Sequence, residues 1–211
     1  EAELYSSVIN TFIFACLSSG LKVILGLLLA VLLSSNLYFK NLLRPIVFFP
    51  AIVSTVGVAI TFKALLDPWD GLINMSLLYI GITGPKWLTN PDLAIFSIML
   101  VEVWKGVGIA TLIFIAGIAA IPKDYYEAAQ IDGATKIQQF FNITIPMVHQ
   151  ATTAVIILSF IGGLRTFDMV MAMTGGGPGF ASEVLSSRIF RDYSQGFFGL
   201  STAGSVILLL L

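Results

Sequence analysis

Apolar residues run along this chain in four stretches, near positions 8–33, 46–66, 93–121 and 147–173, broken by shorter polar links. A membrane-spanning helix needs about 20 mostly apolar residues, and each stretch reaches that length. A fifth begins at Leu200 and meets Leu211 after about a dozen residues, too few to span. The pattern predicts an all-α fold, a polytopic transmembrane helix bundle with about five spans visible and the last truncated. Because the chain opens on Glu1 and its last run stops short, it is read as a fragment, with at least one helix expected before it. The first run is too long, and lies too far inside the apolar zone, to be a cleaved signal peptide.

Small residues recur at four-residue spacing in these runs, as in Gly26, Ala30 and Ser34, or Gly106 and Ala110. That spacing lets helix backbones approach closely where lipid offers no hydrophobic drive to associate. Pro50 lies inside the second run, where it removes a backbone hydrogen bond and predicts a kink. "GLINMSLLYIGI", at 71–82, reads as a short amphipathic helix lying at the outer surface. The 34–44 link carries Lys40 and Arg44 without an acid, which places it on the cytoplasmic side. The 67–92 and 174–199 segments would then lie outside, although Lys86, Arg188 and Arg191 there weaken the charge bias.

Composition agrees with the pattern. Hydrophobic residues make up 57% of the chain and charged residues 11%, against about 25% charged in soluble domains, and the mean hydropathy is +0.93. Membrane lipid is therefore its surroundings. A net charge of -1 with no basic run excludes nucleic acid as an electrostatic partner. One cysteine, Cys16, and one histidine, His149, leave no disulfide framework and no metal-ligand set at the usual spacings. No phosphate loop or catalytic triad spacing is present, so ATP and Mg²⁺, if used, fall to a partner.

"YYEAAQIDGATKIQQFFNITIP", at 125–146, is the longest stretch a bilayer would reject. Pro122 ends the preceding helix, and Asp124 with Glu127 has capping-box spacing. Gly133 offers a left-handed stop. Thr135 with Gln138 repeats the capping spacing, predicting a second short helix to about Phe141 before Pro146 opens the next span. Two capped helices at a membrane face form a docking element, and Glu127 can serve as capping partner, surface contact or both.

Charges inside the spans form the remaining chemistry. Glu102, Lys105, Arg165, Asp168 and Lys22 each cost at least ~2.5 kcal/mol at the bilayer centre unless they face a cavity or a partner. Glu102 with Lys105, and Arg165 with Asp168, stand three apart on one helical face, so each pair can shield itself or form part of a site. At 1.5 Å rise per residue, Glu102 and Ile109 lie ~30 and ~20 Å above Pro122, and Ser159 and Thr166 lie ~20 and ~30 Å above Pro146.

Glu127-Ala128-Ala129, then Gly133, then Ile143-Thr144-Ile145-Pro146 resembles the EAA loop of binding-protein-dependent ABC importer permeases. "WLTNPDLA" from Trp87, "IPKDYYEAAQIDGA" from Ile121 and "MTGGGP" from Met173 extend the likeness to the maltose-type carbohydrate permeases over nearly the whole chain. Ile145 stands where a leucine is usual. The resemblance implies one permease domain over 1–211, with cytoplasmic coupling helices at 122–146. Glu127, Ala128, Ala129, Asp132 and Gly133 would dock on the ATPase. It further implies a second homologous permease subunit, two cytoplasmic ATPase subunits that bind ATP and Mg²⁺, and an extracellular or periplasmic sugar-binding protein. The setting would be a bacterial or archaeal cell membrane.

Matched outward from the motif, the sugar-contacting positions implied are Glu102, Lys105, Gly106 and Ile109 before the insert, and Ser159, Gly162, Gly163 and Thr166 after it. Both sets follow i, i+3, i+4, i+7 spacing, hence one face each. Glycines and an ion pair replace bulkier neutral groups here, implying a wider pocket. Another small solute within the importer class, or an ion-coupled secondary transporter using Glu102 or Asp168, is the alternative.

Overall fold

The computed structural model describes residues 2–34 and 40–211, and among these there is helix and loop but no strand. The helices are α1 (Ala2–Ser34), α2 (Lys40–Ile52), α3 (Thr55–Leu65), α4 (Leu72–Tyr79), α5 (Pro91–Ala119), α6 (Lys123–Ile131), α7 (Lys136–Gln139), α8 (Ile145–Met147), α9 (His149–Leu164), α10 (Asp168–Met173), α11 (Leu185–Ser194) and α12 (Phe198–Leu210). A π turn, Phe140–Thr144, joins α7 to α8. Part of the predicted cytoplasmic link, at 35–39, lies outside the described residues.

Two of these helices are long and apolar enough to cross a membrane unbroken, Glu3–Ser34 and Pro91–Ala119. The second and fourth runs qualify only as interrupted pairs, bringing the possible spans to four. α2 accommodates both Pro45 and Pro50 and ends at Ile52. The break falls beyond Pro50 at Val53 and Ser54, where Ser54 leaves the helical region (φ -53°, ψ 132°) to start α3. The 147–173 run stops at Leu164, and α10 begins only at Asp168. α12 is a shorter apolar helix.

The chain packs as two units. One comprises Ser19–Ile52 and Trp104–Ser159; its core joins Ala30, Ala110, Phe114, Ile121, Val148 and Val155. Small residues set the spacing there. A Cβ on Gly26 would lie 2.9 Å from the Ala110 Cβ, and one on Gly117 would lie 2.8 Å from the Ala151 Cβ. The predicted close approach at Gly26, Ala30 and Ala110 is thus present, because only hydrogen or methyl side chains fit between the backbones. Arg44 donates to the Leu33 carbonyl (3.5 Å) near the C-terminal end of α1, where carbonyls lack helical partners.

The other unit comprises the described residues up to Ser18 with Val53–Val103 and Phe160–Leu211. Here α4 departs from the amphipathic expectation: Leu72, Met75, Leu78 and Tyr79 are exposed, while the polar Asn74 is buried. Asn74 is held inward because it ties three segments together. Its amide nitrogen donates to the carbonyls of Pro68 (3.3 Å) and Pro85 (3.2 Å), and its oxygen accepts from the Trp87 indole (2.7 Å). Gly84 packs directly on that amide.

Candidate functional site

The polar insert folds as two short helices around a tight turn. α6 starts two residues earlier than the capping spacing predicted: Pro122 is the N-cap and no side chain caps it. Asp124 and Glu127 therefore do not form a capping box, because Asp124 is already inside the first turn. Glu127 is exposed along with Ala128, while Ala129 is partly covered.

The far end of α6 is built as predicted. Gly133 takes φ +78°, its amide donates to Gln130 (3.1 Å), and the Ala134 amide donates to Ala129 (2.8 Å). These bonds satisfy carbonyls that the helix end would leave orphaned. Asp132, exposed, is the C-cap. Thr135 and Gln138 then form a reciprocal capping box: the Gln138 amide donates to Thr135 Oγ1 (3.3 Å) and the Thr135 amide donates to Gln138 Oε1 (2.7 Å).

Helix continues past the expected end at Phe141. The π turn carries it to Thr144 and α8 to Met147, before a 66° bend at Val148. Two features of the insert were not read from the sequence. Tyr126 and Thr144 share a hydroxyl hydrogen bond of 3.0 Å, which pins α6 to the π turn, and Tyr126 also packs against the core below. Ile131 and Ile137, on either side of the turn, are 87% and 71% exposed. Two bare isoleucines flanking a polar turn are an apolar knob, and their place around "DGAT" was the available signal.

The implied sugar-contacting positions separate into groups. Glu102, Lys105, Gly106 and Ile109 all lie on the unbroken α5, so their common face holds. Glu102, Lys105 and Gly106 are half-buried and Ile109 is exposed. Gly106, however, does not add room: a Cβ there would meet the Lys22 Cε at 2.6 Å and Nζ at 2.8 Å, so the buried Lys22 side chain lies over it.

On the following helix, Ser159, Gly162 and Gly163 belong to α9, but Thr166 lies beyond its end at Leu164 and is buried. The predicted i+7 face therefore fails at Thr166, whose amide donates to Gly163 (3.3 Å) as the chain leaves the helix. The same break separates Arg165 from Asp168, so these two share no helical face, and both are exposed. Gly162 has open space around it. Gly163 does not: a Cβ there would lie 2.6 Å from the Ala15 Cα, on the α1 backbone. Gly163 is a helix contact, and the wider pocket inferred from the glycines reduces to the opening at Gly162.

Beyond α10, the glycine-rich loop is tightly organised. Gly175, Gly176 and Gly179 take φ of +61°, +89° and +55°, and Thr174 and Ser182 share a 2.8 Å hydrogen bond across it. Asn10 of α1 donates to the Ala181 and Glu183 carbonyls, both at 3.0 Å, and the Leu185 amide donates to Thr11 Oγ1 (2.8 Å). Arg191 bonds Glu183 (3.0 Å) and Glu3 (3.2 Å), and Arg188 bonds Glu3 (2.7 Å) and Asp192 (3.0 Å). Burial pushes the Glu183 carboxyl above its ordinary range, and the charges of Arg191 and Arg188 only partly offset this. Arg165 has no such setting. It opens on a cavity of about 730 Å³ bounded by α9, α11 and α12.

Residues 22–211 match the family of the binding-protein-dependent transport system inner membrane component. The chain belongs to this family. It is 37% identical over 209 residues to the trehalose/maltose transport system permease protein MalF of Thermococcus litoralis, covering 99% of this chain and 71% of that protein. It is 34% identical over 217 residues to the sn-glycerol-3-phosphate transport system permease protein UgpA of Yersinia pestis, covering 100% and 72%. Among solved structures, it is similar to a chain of a bacterial alginate ABC transporter crystallised with an alginate pentasaccharide-bound periplasmic protein. That likeness has a TM-score of 0.89 at 25% identity, over 100% of this chain and 76% of that one. As a family member it is a multi-pass membrane permease subunit of an ABC importer, a transport component rather than an enzyme.

Proposed function

We propose that this permease carries a sugar or oligosaccharide, delivered by an extracellular or periplasmic binding protein, across a bacterial or archaeal cell membrane. In this reading it pairs with a second homologous permease subunit and two cytoplasmic ATPase subunits. The ATPase subunits bind ATP and Mg²⁺. Support for sugar comes from relatives that are trehalose/maltose and arabinooligosaccharide permeases and from the likeness to the alginate transporter. The glycerol-3-phosphate relative keeps another small solute as the second reading.

The observation that carries the coupling role is the build of the 122–146 insert. α6 buries none of its own side chains, yet its turn is closed by local hydrogen bonds and it is pinned by Tyr126. Such a segment is rigid without being part of a core, and its bare Ile131 and Ile137 suit a cleft in a partner protein. Glu127, Ala128, Ala129, Asp132 and Gly133 supply the remaining surface. On the membrane side, Glu102, Lys105 and Ile109 of α5 and Ser159 and Gly162 of α9 are the residues assigned to solute contact.

The test is to purify the chain with the products of its neighbouring genes and measure ATP hydrolysis with the binding protein and a panel of sugars. Stimulation by a sugar, together with recovery of two ATPase subunits and a second permease by native mass spectrometry, is the expected result. A stable complex holding two copies of this chain and no second permease would refute the assembly. Stimulation by amino acids alone would refute the sugar reading.

A further inference from the structure

We propose that Lys22 is a further solute-contacting residue, an ammonium that α1 lays into the α5 face and that donates to hydroxyl oxygens of the transported sugar. The inference rests on the sugar-permease reading and adds a residue to its site. Lys22 lies inside α1 and is buried. Its Cε and Nζ stand 2.6 and 2.8 Å from the place a Cβ on Gly106 would take. Lys105 and Ile109, both assigned to solute contact, bracket Gly106 on α5 within one turn. Gly106 keeps part of its surface open, so what a solute meets between Lys105 and Ile109 is the end of the Lys22 side chain.

α1 is placed to act as a third wall beside α5 and α9. Ser19, one turn before Lys22, donates to the Ile156 carbonyl of α9 (3.3 Å), and Ile156 stands one turn before Ser159. Gly26, one turn after Lys22, lies against Ala110 of α5. One stretch of α1 thus reaches both helices, each within a turn of a residue assigned to solute. These residues all belong to the unit made of Ser19–Ile52 and Trp104–Ser159.

Filling the notch at Gly106 does not call for a charge. Methionine is similarly long and flexible without one, and an ion inside a span is costly unless it faces a cavity or a partner. Lys22 is not without a partner in the chain. An ammonium carries three N–H donors, however, which a single partner does not exhaust. Its compact charge on a flexible stem suits hydroxyls presented at different angles, and a bond from an ionised donor is stronger than one between neutral groups. The glycine is what admits it. The atoms a Cβ at 106 would strike are the far end of the lysine, so alanine there would move the ammonium and leave the helices together. The competing account is a clasp, in which Lys22 only joins α1 to α5.

The experiment uses the complete importer in proteoliposomes with its binding protein. Initial uptake is read for trehalose, maltose and an arabinooligosaccharide, and for each monodeoxy analogue of the sugar that is carried. Wild type, Lys22→Met and Gly106→Ala share one binding protein, so a change between them belongs to the permease. The expected result is that Lys22→Met lowers uptake at least tenfold. One monodeoxy analogue should be slowed to a similar degree in wild type and no further in Lys22→Met, while the other analogues keep their wild-type penalties. Gly106→Ala should show the same dependence on that one hydroxyl in weaker form. A clasp would single out no hydroxyl. Normal uptake by Lys22→Met, or deoxy penalties identical in wild type and both variants, would overturn the inference and leave the sugar reading standing. If Lys22→Met fails to assemble, Gly106→Ala decides: loss of one hydroxyl's contribution supports the contact, and unchanged penalties overturn it. Uptake of none of the sugars, with glycerol 3-phosphate or an amino acid carried instead, would fail the sugar reading itself, already in the wild type, and this inference with it.

Discussion

Gly163 and Gly162 are neighbours on α9 with opposite surroundings, and alanine at each should move stability in opposite directions. A Cβ at position 163 would lie 2.6 Å from the Ala15 Cα, 3.1 Å from the Ala15 Cβ and 3.2 Å from Ser18 Oγ. Carbon atoms settle at about 3.5–4.0 Å, so α1 and α9 would have to separate locally by about 1 Å. The closest atom is backbone and cannot rotate away. Overpacking of this kind costs about 1–3 kcal/mol, against about 0.5–1 kcal/mol gained by replacing a helical glycine with alanine. The net expectation is a loss of about 0–2.5 kcal/mol for Gly163→Ala. Gly162→Ala meets nothing within 4 Å and keeps only the gain. For a chain of this size, 1 kcal/mol moves the unfolding midpoint by about 2–4 °C. Gly163→Ala should therefore melt several degrees below Gly162→Ala when the purified complex is followed by differential scanning fluorimetry. Equal midpoints, or normal complex yield for Gly163→Leu with uptake alone lost, would refute the packing assignment and return Gly163 to the solute face.

In the insert, Glu127→Lys should abolish solute-stimulated ATP hydrolysis while the protein still reaches the membrane; normal uptake would remove Glu127 from the docking surface. Tyr126→Phe should weaken coupling more than expression. It deletes a hydrogen bond worth about 0.5–1.5 kcal/mol and frees α6 from Thr144, which hydrogen exchange of the 123–147 segment will show. Asn74→Ala leaves two carbonyls and an indole N–H unmet, at about 1–3 kcal/mol, readable as a lower melting midpoint. Glu183 provides a pH test. Its folded pKa is raised, so in the window just above the ordinary glutamate range the folded state holds more protons than the unfolded state. Stability should fall as pH rises through that window, and Glu183→Gln should flatten the profile. A rise with pH that depends on Glu183 would contradict the burial assignment.

Much of this was legible in the pattern of residues. The apolar runs located the spans, and the small residues Gly26, Ala30 and Ala110 marked a real helix contact. Gly133 and the Thr135–Gln138 pair gave the turn of the insert because capping is local chemistry, decided within a few residues. Long-range context was not legible. Spacing alone could not tell that Lys22 would lie over Gly106 or that Ala15 would sit against Gly163, since both partners come from α1. Extrapolation along α9 failed at Thr166 because the end of a helix depends on the next segment of chain, here the short link into α10. The Asp124–Glu127 spacing matched a capping box that Pro122 pre-empts by starting the helix first. Exposed Ile131 and Ile137 were visible as residues but not as a surface.

The π turn at Phe140–Thr144 has a consequence for insertions and deletions. A turn closed by i→i+5 bonds holds about one residue more than an α turn, while the helices on either side keep their own angular phase. Loss of one residue within it can be absorbed by reverting to ordinary α geometry, leaving the faces of α7 and α9 where they are. The same loss inside α9 would rotate every later side chain by about 100° and carry Gly163 off Ala15. Chain length in this permease is therefore negotiable at one marked place between α7 and α9, and fixed on both sides of it.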